Sequence, residues 1–246
     1  MVNHAKPGIS AIIPVYNEEK IIASNSLKIL KHFEKQGFKD CEILLCDNGS
    51  TDKTPEAAKS VSRREKRVKY LRTDYKGIGH GFILGARKAK NNICILYAID
   101  DPFEKSFIPR SIGPITSGEA DIVIGSKGHP ESKSERPLLR KAFSKAYNLL
   151  TNAFFPLGVA DTQGSLAFDL KKTRKLIEET VARDAFFETE FIIRARTKGL
   201  NVREIPINAK DNRKDSKINP IATGLNLVAQ LVALRFRLHG LKNAPR

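Results

Sequence analysis

Apolar residues in this chain fall into short, almost unbroken runs that stop at polar turn-formers, separated by stretches where they recur at helical intervals. Ile9-Ser10-Ala11-Ile12-Ile13-Pro14-Val15 runs into Tyr16-Asn17-Glu18-Glu19, and the run Cys41 to Cys46 ends at Asp47-Asn48-Gly49-Ser50-Thr51-Asp52. Each reads as a buried strand that breaks at its carboxyl end. Between them, Ile22, Leu27, Ile29, Leu30 and Phe33 lie at roughly helical spacing within Glu19 to Gln36, and Gly37 offers a stop. Thr54-Pro55-Glu56 opens a helix that runs to about Arg64, before a third strand at Val68 to Thr73. Lys76-Gly77-Ile78-Gly79-His80-Gly81 leads into a helix over Phe82 to Lys90, and Ile93 to Ile99 forms a fourth strand stopping at Asp100-Asp101-Pro102. Ala120 to Gly125 is strand-like, and the polar, basic stretch Ser126 to Arg140 reads as a surface loop of the kind that makes lids and acceptor clefts. Further on come a helix around Leu138 to Thr151, a strand near Ser165 to Asp169, helices at Lys172 to Ala182 and Glu188 to Lys198, and a strand at Asn201 to Ile205. After Pro220, Ile221, Leu225, Val228, Leu231, Val232, Leu234 and Leu238 repeat at helical intervals, with Arg235, Arg237 and Lys242 clustered toward the end. Such a stripe suits an interfacial amphipathic helix, and equally a core or dimer helix.

This alternation predicts an α/β fold: a mostly parallel, Rossmann-like sheet flanked by helices, with ligands at the carboxyl ends of the strands. With 246 residues and 41% hydrophobic content, the chain can bury one large core. We expect one unit, with residues 1–218 as its body and 219–246 as a C-terminal amphipathic segment. Lys and Arg number 43 against 27 Asp and Glu, a formal charge of +16 that attracts nucleic acid, anionic headgroups or phosphorylated substrates. No nucleic-acid motif or clustered basic-aromatic surface accompanies the charge, so no nucleic-acid partner is expected. Cys41, Cys46 and Cys94 sit in or beside apolar runs and are too few for a disulfide framework. Met1 to Gly8 lacks a signal-peptide core and no run of ~18 apolar residues occurs, so a cytoplasmic protein that spans no membrane is expected.

Candidate chemistry gathers at the strand ends. Pro14, Tyr16, Asn17 and Glu18, facing the turn that begins with Asp47 and Asn48, offer backbone donors and carboxylates for a base or ribose, or simply start helices. Lys76 and Gly77 combine charge with close backbone approach, as a phosphate would need, although glycine-rich strings are common. Asp100-Asp101-Pro102 reads as a strand-ending turn that presents two adjacent carboxylates.

Together the Pro-x-Tyr-Asn-Glu and Asp-Asn-Gly-Ser-Thr-Asp turns resemble those of family 2 glycosyltransferases of GT-A fold. The resemblance implies a nucleotide-sugar site in which Asp47 binds the base or ribose region, and a divalent cation held by an Asp-x-Asp motif. Counting along the fourth strand places Ala98 at the first Asp and Asp100 at the second, so half of that motif is missing; Asp101 is a possible helper. Ile122 to Gly128 matches a strand ending in Gly-Ser-Arg, with Lys127 in place of arginine, keeping the charge but not the bidentate fork. Arg136, Arg140 and Ser144 follow, and in similar polyprenyl-phosphate transferases such residues bind the acceptor's phosphate; a solvated basic face is the alternative.

Val159-Ala160-Asp161-Thr162-Gln163-Gly164, then Phe187-Glu188-Thr189-Glu190, then Arg213-Lys214-Asp215-Ser216-Lys217 occur in the order found in dolichyl-phosphate mannose and glucose synthases. That resemblance carries Asp161, Gln163 and Glu190 to the catalytic cleft with Asp100, and Arg213, Ser216 and Lys217 to the donor phosphates. It implies an inverting hexosyltransferase moving sugar from UDP-glucose or GDP-mannose to a polyprenyl phosphate at the membrane surface, with the protein peripheral on the cytoplasmic face. Its rivals are transfer to a soluble hydroxyl, with Glu190 or Asp161 as general base, and a degenerate, non-catalytic binder of nucleotide sugars motivated by Ala98.

Overall fold

The computed structural model describes residues 6–100, 106–135, 137–210 and 220–243. Seven strands form one sheet: β1 (Ile9–Val15), β2 (Cys41–Asn48), β3 (Val68–Thr73), β4 (Ile93–Leu96), β5 (Ile122–Ser126), β7 (Ser165–Asp169) and β8 (Val202–Pro206). Their order is β3-β2-β1-β4-β7-β5-β8, with β7 antiparallel to both neighbours and the other pairs parallel. Two-residue strands β6 (Ser134–Glu135) and β9 (Ala209–Lys210) pair separately. This is the mostly parallel α/β sheet that the apolar runs predict.

Period-2 alternation sends successive β1 side chains to opposite faces. Ala11, Ile13 and Val15 join a core under α1 (Ile22–Lys35), α2 (Thr54–Arg64) and α4 (Phe107–Thr116). Ile12 enters the opposite core, with α3 (Ile78–Lys88), α6 (Leu170–Glu179) and α7 (Phe187–Thr197). There Phe82 meets Phe168, Phe187 and Phe191 at centroid separations of 5.4, 4.8 and 5.8 Å. All three cysteines are buried free thiols.

Helix α4 was not legible in the pattern, because Pro109, Gly113 and Pro114 all argue against a helix. It forms nonetheless because Phe107, Ile108, Ile112 and Ile115 are buried on one face, tertiary burial overriding propensity. Helix α3 starts at Ile78 rather than Phe82, so Gly79 and Gly81 belong to its first turn and not to an open loop. A Cβ at Gly81 would lie 3.1 Å from Cys46 O and one at Gly85 2.5 Å from Ile12 Cγ2. These glycines let the helix lie directly on β1 and β2.

Helix α5 (Leu138–Phe154) packs against the C-terminal helix α8 (Pro220–Asn243). Leu227, Leu231 and Leu234 of α8 enter the core, whereas Leu225 is 69% exposed, so the expected single stripe divides between two faces. The expected boundary at 218/219 lies outside the described residues. No helix among the described residues is long and apolar enough to cross a membrane.

Candidate functional site

At the centre of the sheet the chain order reverses, with β2 on one side of β1 and β4 on the other, and a crevice opens there at the strand ends. It is a cleft of about 230 Å³ lined by Pro14, Glu18, Ile78, residues 96–100, Gln163, Gly164, Ser165 and Glu188. Of the sequence-predicted residues, Pro14, Glu18, Asp100 and Gln163 line it together.

On one side, the two turns after β1 and β2 are laced to each other. Asn17, the one non-glycine residue with positive φ (56°) among those described, donates its N–H to Ser50 Oγ at 3.0 Å and accepts from Thr51 N at 2.9 Å. Glu18 N donates to Thr54 Oγ1 at 2.7 Å. Asp47 is fully buried: it accepts from Ser50 N at 2.8 Å and Tyr70 OH at 2.8 Å, and pairs with Arg72 Nη1 at 2.9 Å. Its carboxylate therefore builds the turn and holds Arg72 at the rim, a residue the sequence reading missed. Asn48, with its amide oriented by the network, donates to Val15 O and accepts from Gly77 N at 3.3 Å. Its place as a second-Asp substitute is thus taken up by backbone contacts.

Lys76 Nζ sits 4.4 Å from the centroid of the Tyr16 ring, which brings these two candidates together at the rim. Gly77 caps α3 at φ 138°, where a Cβ would lie 2.2 Å from Arg183 O, and Gly79 N donates to that same carbonyl at 3.0 Å. The start of α3 is thereby fastened to the strap 180–186, and Ile78 at its first turn faces the cleft. A helix N-terminus in this position favours anionic groups.

Across the cleft, Asp161 is buried, accepting from Gln163 N at 2.9 Å and Lys127 N at 3.1 Å, with Lys127 Nζ at 3.5 Å. Lys127 Nζ also donates to Gln163 O. Lys127 is therefore committed to the 161–163 turn rather than presented to an acceptor phosphate. Gln163 Nε2 donates to Ala185 O at 2.9 Å.

Glu190 is corrected by the structure: it is 1% exposed and does not line the cleft. Its carboxylate accepts from Val181 N at 3.1 Å and Ala182 N at 2.7 Å and pairs with Arg194 Nε at 2.7 Å. Two positions earlier, Glu188 takes the cleft wall. Burial raises its carboxyl to about 8; Lys127 opposes that rise and Asp161 adds to it. Residues two apart on a helix point about 200° away from each other, so one of Glu188 and Glu190 must face inward, and the sequence offered no means of choosing.

Ser144 lies partly exposed on α5. Asp101, Arg136, Arg213, Ser216, Lys217 and the side chain of Arg140 lie outside the described residues. Among the described residues no three His, Cys, Asp or Glu side chains converge as a metal cluster.

Comparison with known proteins shows the family and the fold. The family model for glycosyl transferase family 2 matches residues 10–175. The chain is 24% identical to glycosyltransferase AglD of Haloferax volcanii over 94% of this chain, but spans only 37% of AglD. It is 26% identical to the UDP-N-acetylglucosamine--dolichyl-phosphate N-acetylglucosaminyltransferase of Methanococcus voltae, over 81% of this chain and 84% of that enzyme. Glucosyl-3-phosphoglycerate synthase of Mycobacterium tuberculosis, solved with Mn²⁺, UDP and glucosyl-3-phosphoglycerate, superposes at a TM-score of 0.66 and 20% identity, over 93% of this chain and 80% of that one. The fold is the GT-A fold.

Proposed function

The chain belongs to glycosyl transferase family 2, and from that membership we propose that it transfers a hexose from a nucleotide sugar to the phosphate of a polyprenyl phosphate, inverting the anomeric carbon. The observation that carries this reading is the convergence on one cleft of the β1 and β4 ends, the N-terminus of α3 and the Gln163–Glu188 wall. The first three suit a nucleoside diphosphate, and the wall leaves room for an acceptor. The Methanococcus voltae relative, of similar length and named for transfer to dolichyl phosphate, supports the acceptor class.

An acceptor phosphate oxygen attacks the anomeric carbon; the new C–O bond forms as the bond to the diphosphate breaks, and the electron pair leaves with the nucleotide. Because the attacking oxygen is already ionised, no base is required, and positioning and charge neutralisation lower the barrier. The α3 N-terminus supplies fixed positive potential to the leaving diphosphate, and Lys76, with Arg213, Ser216 and Lys217 from the sequence resemblance, adds charge and donors. Tyr16, Asn17, Glu18, Asp47 and Asn48 shape the nucleoside end. Lys127 and Asp161 fix the wall behind the sugar, and Arg136, Arg140 and Ser144 would meet the acceptor.

The donor chemistry fits a divalent cation: Asp100 is a partly buried carboxylate in the cleft, and Mg²⁺ or Mn²⁺ can rest on one or two carboxylates plus phosphate and water. Asp100, helped by Asp101, would hold it, and the bound ion would neutralise charge on the diphosphate.

Glu188 favours a second reading. A carboxyl titrating near 8 beside the sugar site is suited to general-base work, so a hydroxyl acceptor would give its proton to Glu188 rather than to the engaged Glu190 or Asp161. Nucleoside diphosphate release by wild type and Asp100→Ala tests the main reading. Release that requires polyprenyl phosphate and divalent cation, and that falls at least ~100-fold in the variant, supports it. Release driven only by soluble alcohols, or unchanged in the variant, refutes it.

A further inference from the structure

Helices α5 and α8 carry apolar surface on the side that faces away from the core. Leu138 and Leu149 of α5 are 83% and 71% exposed, and Leu225 and Phe236 of α8 are 69% and 74% exposed. The exposed alanines at 142, 146 and 153 continue the α5 stripe, and those at 229 and 233 continue the stripe on α8. A helix apolar on two opposite faces, as α8 is, has a partner on each. One is the core, through Leu227, Leu231 and Leu234.

Charge identifies the other. Over 17 and 24 residues, neither helix contains an Asp or Glu, in a chain that has 27 of them. The exposed Lys141, Lys145 and Arg237 accompany the stripes. A second copy of the chain would set this basic face against itself in a two-fold contact and suffer like-charge repulsion. An anionic lipid surface satisfies both components, apolar residues entering the acyl boundary and cations meeting headgroups.

Both helices are also tied to the cleft wall by polar bonds. Tyr147 OH of α5 donates to Thr189 Oγ1 at 3.0 Å, beside Glu188. Gln230 Nε2 and Asn226 Nδ2 of α8 donate to Asp184 Oδ2 at 2.8 and 3.3 Å, on the strap that also holds Gly79 and Gln163.

We infer that α5 and α8 together form a docking surface for an anionic bilayer, which seats the cleft at the lipid surface. The choice of a bilayer over a soluble acidic partner rests on the lipid-acceptor reading. No described helix is long and apolar enough to cross, so the contact lies in the interface.

Flotation with phosphatidylcholine vesicles, with and without phosphatidylglycerol and free of any polyprenyl phosphate, tests the inference on the full chain. Wild type is expected to bind the anionic vesicles more than about tenfold better than the neutral ones. Leu149→Ser/Leu225→Ser/Phe236→Ser and Lys141→Glu/Lys145→Glu are each expected to lose about tenfold while keeping wild-type nucleotide binding and melting temperature. Wild type that stays with the soluble fraction, or flotation that neither variant moves, overturns it. So does a wild-type dimer in light scattering that the apolar variant converts to monomer. Flotation without transfer to any polyprenyl phosphate sinks the acceptor reading alone; transfer to a water-soluble short-chain polyprenyl phosphate without flotation sinks the docking surface alone.

Discussion

Replacing Glu188 by glutamine separates the two acceptor chemistries and tests the electrostatics of the cleft in one variant. The Glu188 carboxyl is raised from 4.5 to about 8, chiefly by burial. The folded protein therefore keeps a proton up to about pH 8 that the unfolded chain releases near 4.5. This raised value contributes stability that is whole below about pH 4.5, declines across the interval, and is gone above about pH 8. At ~1.4 kcal/mol per pKa step the upper bound is ~5 kcal/mol, and solvent at the cleft mouth brings the expected figure to ~1–2 kcal/mol. The amide of the Glu188→Gln variant has no proton to lose, so its melting temperature should gain on wild type by ~3–6 °C between about pH 5 and pH 9. Thermal scans at fixed ionic strength measure the difference. A difference flat with pH, or a variant that loses ground as pH rises, would refute the reasoning. In the same variant, turnover with polyprenyl phosphate should stay within about threefold of wild type, because the nucleophile arrives ionised; a fall of ~10²–10⁴ would instead identify Glu188 as a general base.

Glu190→Ala should destabilise the protein by about 3–5 kcal/mol in urea unfolding, since it strands the buried Arg194 and the buried Ala182 N–H and removes the acceptor of the part-buried Val181 N–H; a loss of activity with unchanged stability would return Glu190 to the chemistry. Gly77→Ala forces a Cβ against Arg183 O at φ 138° and should raise the donor KM with a cost of about 1–3 kcal/mol in stability; wild-type nucleotide binding would contradict the packing of the α3 start. Asp47→Asn should weaken the hold on Arg72 and lower nucleotide affinity about tenfold by titration calorimetry, whereas an unchanged affinity would confine Asp47 to folding.

The central parallel strands were legible because they are buried on both faces and show as apolar runs, as in Ile9–Val15 and Cys41–Cys46; the antiparallel β7 at Ser165–Asp169 and the part-exposed edge strand β3 at Val68–Thr73 were placed residue for residue. Where two proline residues met a buried face, as in α4, local propensity misled and only the tertiary contacts decide. The cleft positions of Pro14, Glu18 and Asp100 followed from strand ends, and that of Gln163 from the resemblance of the segment 159–164. The identity of the wall carboxylate did not, because the register of α7 against the cleft depends on the Glu190–Arg194 pair and on the strap it fastens. Lys127 was legible as a cation near the site, but its commitment to Asp161 and Gln163 O depends on the fold bringing residues 34 to 36 positions apart into contact. On α8 the apolar spacing was visible, while its division into a core face and an outward face needed the packing against α5.

The central claim, sugar transfer to a lipid-linked phosphate at this cleft, is tested most directly by incubating the protein with short-chain polyprenyl phosphate, Mn²⁺ or Mg²⁺, and radiolabelled UDP-glucose or GDP-mannose in parallel, then counting label extracted into organic solvent. Label is expected in the organic phase from one donor, dependent on the polyprenyl phosphate and lost in Asp100→Ala; label from neither donor, despite measurable binding of the nucleotide, would contradict transfer to a lipid-linked phosphate.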